Sequence, residues 1–196
     1  NNHLSAKNFK KVIDGSKILL NKIPHNDYLL NLTGMAYQGL SQHQNSIKFF
    51  NQALTVAPNN IAAMNNLANS YKAIGKLEDA KDLYEKILKM NPNYINAYNN
   101  YANLKTLIND YKGAIELYLK VYNLIKNNKN ISRTSVTGIL FSLAVAYQSD
   151  NKIDETKNTV NKILSIDSSH VGAHKLSSSL TRYSNQDEDS MTHIKQ

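Results

Sequence analysis

The chain has 196 residues, 41% hydrophobic and 19% charged, which is enough apolar content for a folded core and excludes a wholly disordered polymer. It contains no cysteine, which excludes disulfides and thiolate chemistry and fits a reducing, cytoplasmic setting. The net charge of +8 is scattered rather than concentrated, and there is no apolar run of the roughly 18 residues a membrane span needs, so neither nucleic acid nor a membrane is indicated as a partner.

The three prolines, Pro24, Pro58 and Pro92, stand 34 residues apart, and a fixed interval of that length signals stacked helical pairs. Residues 1–26 read as the second half of a preceding repeat, a helix from about Ser5 to Lys22 that buries Phe9, Val12, Ile13, Leu19 and Leu20. Its Lys7, Lys10, Lys11, Lys17 and Lys22, against Asp14 alone, read as a solvated basic face. Unit 27–60 follows, with Leu30, Gly34 and Tyr37 on a first helix and Ser46, Phe50 and Ala53 on a second, closed by Pro58. Unit 61–94 shows why the spacing carries meaning: Met64, Leu67, Ala68 and Tyr71 fall at i, i+3, i+4 and i+7, the stripe of an amphipathic helix. Gly75 stops that helix, a second stripe runs through Ala80, Leu83, Tyr84, Ile87 and Leu88, and Pro92 ends the unit.

Unit 95–128 repeats the pattern with Tyr98, Tyr101, Ala102, Ala114, Tyr118 and Val121. It departs at Lys105, where the first helix has Tyr elsewhere, and at Lys126 in place of Pro, so its second helix is expected to run past Leu124 into a loop at Asn127–Asn130. Matching Lys152-Ile-Asp-Glu-Thr to Lys76-Leu-Glu-Asp-Ala sets a fourth unit at 137–170, with Leu140, Leu143, Ala144 and Tyr147, then Thr156, Val160 and Ile163. Eight residues, 129–136, are thereby inserted and are expected to lengthen the helices on either side. Residues 171–196 begin with a helix that buries Leu176 and Leu180, either as a cap or as the start of a linker to a downstream domain. Gln186–Asp189 reads as an acidic turn, and Met191 to Gln196 as the opening of another helix. Small residues are expected to face each other within pairs: Gly34 and Ser46, Ala68 and Ala80, Ala102 and Ala114.

These residues resemble the tetratricopeptide repeat (TPR), whose pattern runs large apolar or aromatic, Leu-Gly, Tyr, then Ala, aromatic, Ala and Pro. The resemblance implies an all-α fold, a right-handed superhelical solenoid of antiparallel helix pairs whose first helices line a concave groove that binds protein or extended peptide. The groove positions it implies are Asn31, Gln38, Asn65, Asn66, Asn69, Lys72, Asn99, Asn100, Asn103 and Gln148, with Phe141 and Val145 replacing asparagines in the fourth unit. Carboxamides donate and accept, which suits them to a peptide backbone whatever its side chains. Asn66 and Asn100 are similar to the asparagine ladder of the arrays on protein O-glycosyltransferases, which Leu32 and Ser142 interrupt here. A carboxylate-clamp groove is poorly matched, since Lys72 is the only basic residue on that face in the central repeats. The C-terminal stretch Ala173-His174, Leu176-Ser177, Leu180-Thr181, Tyr183, Asp189 and His193-Ile194 resembles the junction of bacterial TPR–sulfotransferase fusion proteins, with Lys175 where the junction has Arg. That resemblance implies a recognition region for a sulfotransferase domain beyond Gln196; the alternative is a free-standing adaptor that scaffolds a protein complex.

No catalytic constellation is expected within the chain itself: a Ser/Thr/Gly-rich phosphosulfate loop is missing, and isolated hydroxyls without a paired base are not nucleophiles. His170 and His174 have the i, i+4 spacing of a helical metal pair but lack further ligands, so neither metal nor other cofactor is expected. Self-association through an exposed end repeat is the remaining expectation, because a cut array leaves apolar faces uncovered.

Overall fold

A computed structural model describes residues 2–180, with side chains from Ala6 onward, and every element among the described residues is an α-helix. The chain forms two compact units, Asn1–Asn100 and Tyr101–Gln196. The first holds α1 (Asn2–Leu20), α2 (Asp27–Gly39), α3 (His43–Val56), α4 (Ile61–Ala73), α5 (Leu77–Met90) and the opening of α6 (Ile95–Leu107). The second holds the remainder of α6, α7 (Tyr111–Ile125), α8 (Arg133–Ser149), α9 (Ile153–Ile166) and α10, residues 171–180.

In the first unit the helices start where the sequence places a capping side chain. Asn26 Oδ1 accepts the Leu29 N–H at 2.8 Å and Asn60 Oδ1 accepts the Ala63 N–H at 3.0 Å, each two residues after a proline that has ended the previous pair. The helices of a pair are joined by one recurrent turn, in which Gln42 N–H donates to Tyr37 C=O and Lys76 N–H to Tyr71 C=O, both at 2.9 Å. The residue before each donor is left-handed, Gly75 at φ +80° and Ser41 at φ 58°. Glycine meets that demand at no cost, whereas serine pays for it.

Leu30, Ala53 and Ala63, with Leu20, Phe49 and Leu54 packed on them, form a core shared by α1, α2, α3 and α4. A Cβ built on Gly34 would lie 2.5 Å from the Phe50 ring, so the glycine makes room for that aromatic. Ser46 meets Ser70 of α4, Oγ to Oγ at 2.8 Å. The first helix also departs from expectation. It starts at Asn2 and runs unbroken past the point where the pattern of α3 would put a turn. Ile13 and Ser16 are buried, but Leu19, expected inside, is 46% exposed.

In the second unit Asn109 (φ 61°) and Asn151 (φ 58°) fill the left-handed position, and the same N–H bonds recur at 2.9 Å from Asp110 to Lys105 and from Lys152 to Tyr147. Asparagine tolerates that conformation better than most residues. Ala102, Ala114, Ile115, Tyr118, Leu143 and Ala146 form one cluster, and Leu140, Ala144, Val160, Ile163, Ala173 and Leu176 another. The left-handed turn positions stand 34 residues apart through Asn109 and then 42 apart, so eight extra residues lie between Asn109 and Asn151. One lengthens α7, which has 15 residues where α3, α5 and α9 have 14. Four lengthen α8, which has 17 where α2, α4 and α6 have 13. The other three make the connection 126–132 longer than the four-residue links 57–60, 91–94 and 167–170.

Candidate functional site

The carboxamides singled out in the sequence are organised as pairs. In the first unit Asn66 Nδ2 donates to Asn31 Oδ1 at 3.1 Å, and Asn100 Nδ2 donates to Asn65 Oδ1 at 3.0 Å. Each bond steps from the first helix of one repeat to the first helix of the one before it, 35 residues back. Asn31 and Asn66 remain half-exposed, as do Asn99 and Asn100, whereas Asn65 is buried. Among the described residues the Oδ1 atoms of Asn66 and Asn100 accept no hydrogen bond, and Asn99 makes none with its side chain.

Gln38 is spent differently. Its Nε2 donates to the Asn66 backbone carbonyl at 3.2 Å and to Ser70 Oγ at 2.9 Å, fastening α2 to α4. In the second unit Gln148 Nε2 plays the same part, donating to Ser179 Oγ of α10 at 3.3 Å. These glutamines join one first helix to the next, a use that helical periodicity alone does not reveal.

Asn69, half-exposed, and Asn103, exposed, are nevertheless engaged within their own helix pairs. The Tyr84 hydroxyl donates to Asn69 Oδ1 at 2.7 Å, and one repeat on, the Tyr118 hydroxyl donates to Asn103 Oδ1 at 2.6 Å. Both tyrosines are buried, and burial pushes both phenols above their usual range. The two asparagines therefore anchor the second helix of their own pair.

Lys72 is half-buried near the end of α4, and its burial lowers its pKa. No carboxylate of the described residues pairs with it. Lys105, one step along the repeat, behaves otherwise. It pairs with Asp110 Oδ2 at 2.7 Å and lies 5.4 Å from the Tyr101 ring centroid. Lys105 and Asp110 thus fill the places where Tyr71 and Lys76, and Tyr147 and Lys152, form cation–π contacts across the turn.

The histidine pair is used locally. His170 Nδ1 accepts the Ala173 N–H at 3.1 Å as the N-cap of α10, and His174 Nε2 lies 2.8 Å from the Ser168 carbonyl. Sequence reasoning missed one concavity, an open cavity of about 660 Å³ in the first unit, floored by Leu20, Leu30 and Phe49 and rimmed by Lys17, His25 and Val56. Its only sequence signal is the contact of α1 with the following pair. The junction residues Thr181, Tyr183, Asp189, His193 and Ile194 lie outside the described residues.

Tetratricopeptide repeat family models match residues 28–93 and 83–116. The chain is similar to the crystal structure of a tetratricopeptide repeat protein from Parabacteroides merdae ATCC 43184, at 18% identity and TM-score 0.72, over 98% of this chain and 78% of that one. It is similar to MamA from Desulfovibrio magneticus RS-1, at 14% identity and TM-score 0.70, over 86% and 91% of the two chains. It is also similar to YrrB, described as a TPR protein with an unusual peptide-binding site, at 14% identity and TM-score 0.67, over 87% and 84%. Likeness at such identities shows the fold, an all-α array of tetratricopeptide repeats. A search of curated proteins found no match.

Proposed function

We propose, for a chain that carries tetratricopeptide repeats, that it is a binding scaffold for an extended protein segment, held on the face of α2, α4 and the start of α6. Asn31, Asn66, Asn99 and Asn100 would meet the ligand backbone, Asn65 would orient Asn100, and Gln38 would fix the spacing of the helices beneath. The observation that carries this reading is the state of Asn66 and Asn100. Each gives one N–H to a neighbouring asparagine and keeps its Oδ1 and second N–H for a peptide group. Lys72, desolvated and without a carboxylate partner, suits an acidic side chain on the ligand. The printed description of YrrB, with its peptide-binding site, is in keeping with this use of the fold.

The test is selection of binders from a random peptide library, followed by titration of the recovered peptides. Replacing Asn66 and Asn100 together by Ala should weaken them by about tenfold or more, the scale of one to two lost hydrogen bonds. Unchanged affinity would move the binding face elsewhere. Asn103 and Gln148, in the second unit, are predicted to have no such effect beyond what they do to stability.

A finer reading, recognition on behalf of a sulfotransferase domain in a bacterial, cytoplasmic protein, rests on the resemblance of residues 173–194 alone, and neither the repeat matches nor the similar structures support it. A reading frame that continues past Gln196 into a strand and a Ser/Thr/Gly-rich loop would favour it. A frame that continues into anything else would leave the adaptor. No described helix is long and apolar enough to cross a membrane.

A further inference from the structure

The cavity walled by α1, α2 and α3 has the size and chemistry of a small-molecule site. Its volume of about 660 Å³ lies within the roughly 300–1,000 Å³ of such sites, and its floor of Leu20, Leu30 and Phe49 is apolar. Phe49 is held in place by stacking on Tyr37, with ring centroids 5.4 Å apart and planes 18° from parallel. Lys17, Asn21, His25 and Gln52 bring nitrogen donors to the edge. No acidic side chain lines the cavity, and Lys17, whose Nζ lies 5.6 Å from the Tyr37 ring centroid, forms no ion pair among the described residues. None of the paired asparagines reaches it, so it is separate from the carboxamide face.

The second unit shows what fills the equivalent place there. Counted along the repeats, Tyr122 of α7 is in register with Leu20, Leu140 of α8 with Leu30, and Lys162 and Ile166 of α9 with Gln52 and Val56. Tyr122 and Ile166 both pack on the cluster around Leu140, and Lys162 Nζ lies 4.5 Å from the Tyr122 ring centroid. The chain itself thus supplies an aromatic ring with a cation on its face. In the first unit leucine and glutamine stand at those two positions, and Val56 is 37% exposed where Ile166 is half-buried. Phe49 stands where α9 has Thr159, but its ring is stacked on Tyr37 and leaves the volume open. We propose that this cavity binds a small aromatic carboxylate. Its ring takes the place that Tyr122 takes in the second unit, and its carboxylate meets Lys17 and His25 at the edge.

Titration of the full chain with phenylacetate, followed through the backbone amide resonances, tests it. Phenylacetate should bind with a Kd of about 1 mM or tighter and shift the amides around Leu20 and Phe49. Phenethylamine has the same ring and the opposite charge, and acetate has the charge without the ring; neither should saturate over the same range. Lys17→Met, at an exposed position, should weaken phenylacetate about fivefold or more. Leu20→Tyr, which installs the ring of the second unit, should abolish binding with helicity by circular dichroism unchanged. A wild type that does not bind phenylacetate overturns the proposal, as does equal binding of phenethylamine or a set of shifted amides confined to the carboxamide face. Affinity unchanged by Lys17→Met also overturns it, and that substitution leaves the core untouched, so the test stands even where Leu20→Tyr disturbs the fold.

Discussion

At the scale of single residues, asparagines on one polar stretch of a helix have opposite duties. Asn69 accepts the hydroxyl of buried Tyr84, while Asn66, three residues earlier, lies half-exposed on the pairing row. Asn69→Ala should therefore cost about 1–2 kcal/mol of stability, the range for disturbing a buried hydrogen bond, whereas Asn66→Ala should stay within about 0.5 kcal/mol. Denaturant unfolding with an unchanged slope decides between them. Helical periodicity assigned both residues to one polar face; it could not say which carboxamide a tyrosine fifteen residues on would claim. The tyrosines also carry a pH signature. Burial holds the Tyr84 and Tyr118 phenols above the usual range, so their folded pKa exceeds the unfolded one. A group shifted in that direction supports the fold fully below its unfolded pKa, and the support is lost as pH climbs through the folded value. Thermal stability should accordingly decline above about pH 10, and Tyr84→Phe should flatten that decline relative to the wild type.

At the scale of elements, the turn inside each helix pair is the unit that repeats most faithfully. Gly75 was legible as a helix stop because glycine is the residue that left-handed backbone favours. Ser41, Asn109 and Asn151 hold the same conformation and gave no comparable signal, since polar residues are common in any turn. Ser41→Gly should raise stability by about 0.5–1 kcal/mol by relieving left-handed strain, measured as a higher denaturation midpoint. Gly34→Ala should do the reverse, because its methyl would lie 2.5 Å from the Phe50 ring in a packed interior. The third turn adds an electrostatic component. Lys105 and the Gly113 N–H, whose bond to Asp110 caps α7, hold the Asp110 carboxyl below its usual range. A carboxylate shifted that way supports the fold above its unfolded pKa, near 3.9, and the support is lost as pH falls through the lower folded value. Asp110→Asn can still cap the helix, so it should remove the acid-dependent part of the stability while largely preserving the cap.

At the scale of the whole molecule, the proline interval and the recurrent stripes made the order of helices readable, and the eight-residue insertion with it, because each repeat imposes the same packing on the next. The ends were less readable. Leu19 follows the buried pattern of its register, yet among the described residues it is 46% exposed, because the pattern reports a register and not the neighbours that fill it. Such an array is stabilised by contacts between adjacent elements, so its local stability should follow how many faces of each helix are covered. In α4 both the pair face and the inter-repeat face are covered, with Ala63 and Ala68 at 0% exposure and Met64 at 1%, whereas α1 leaves Ile18 and Leu19 in solvent. Native-state hydrogen exchange should therefore show α4 and α5 opening with the highest free energies of the first unit, and α1 opening well before them. Protection in α1 equal to that in α4 at high dilution would contradict nearest-neighbour stabilisation in this unit.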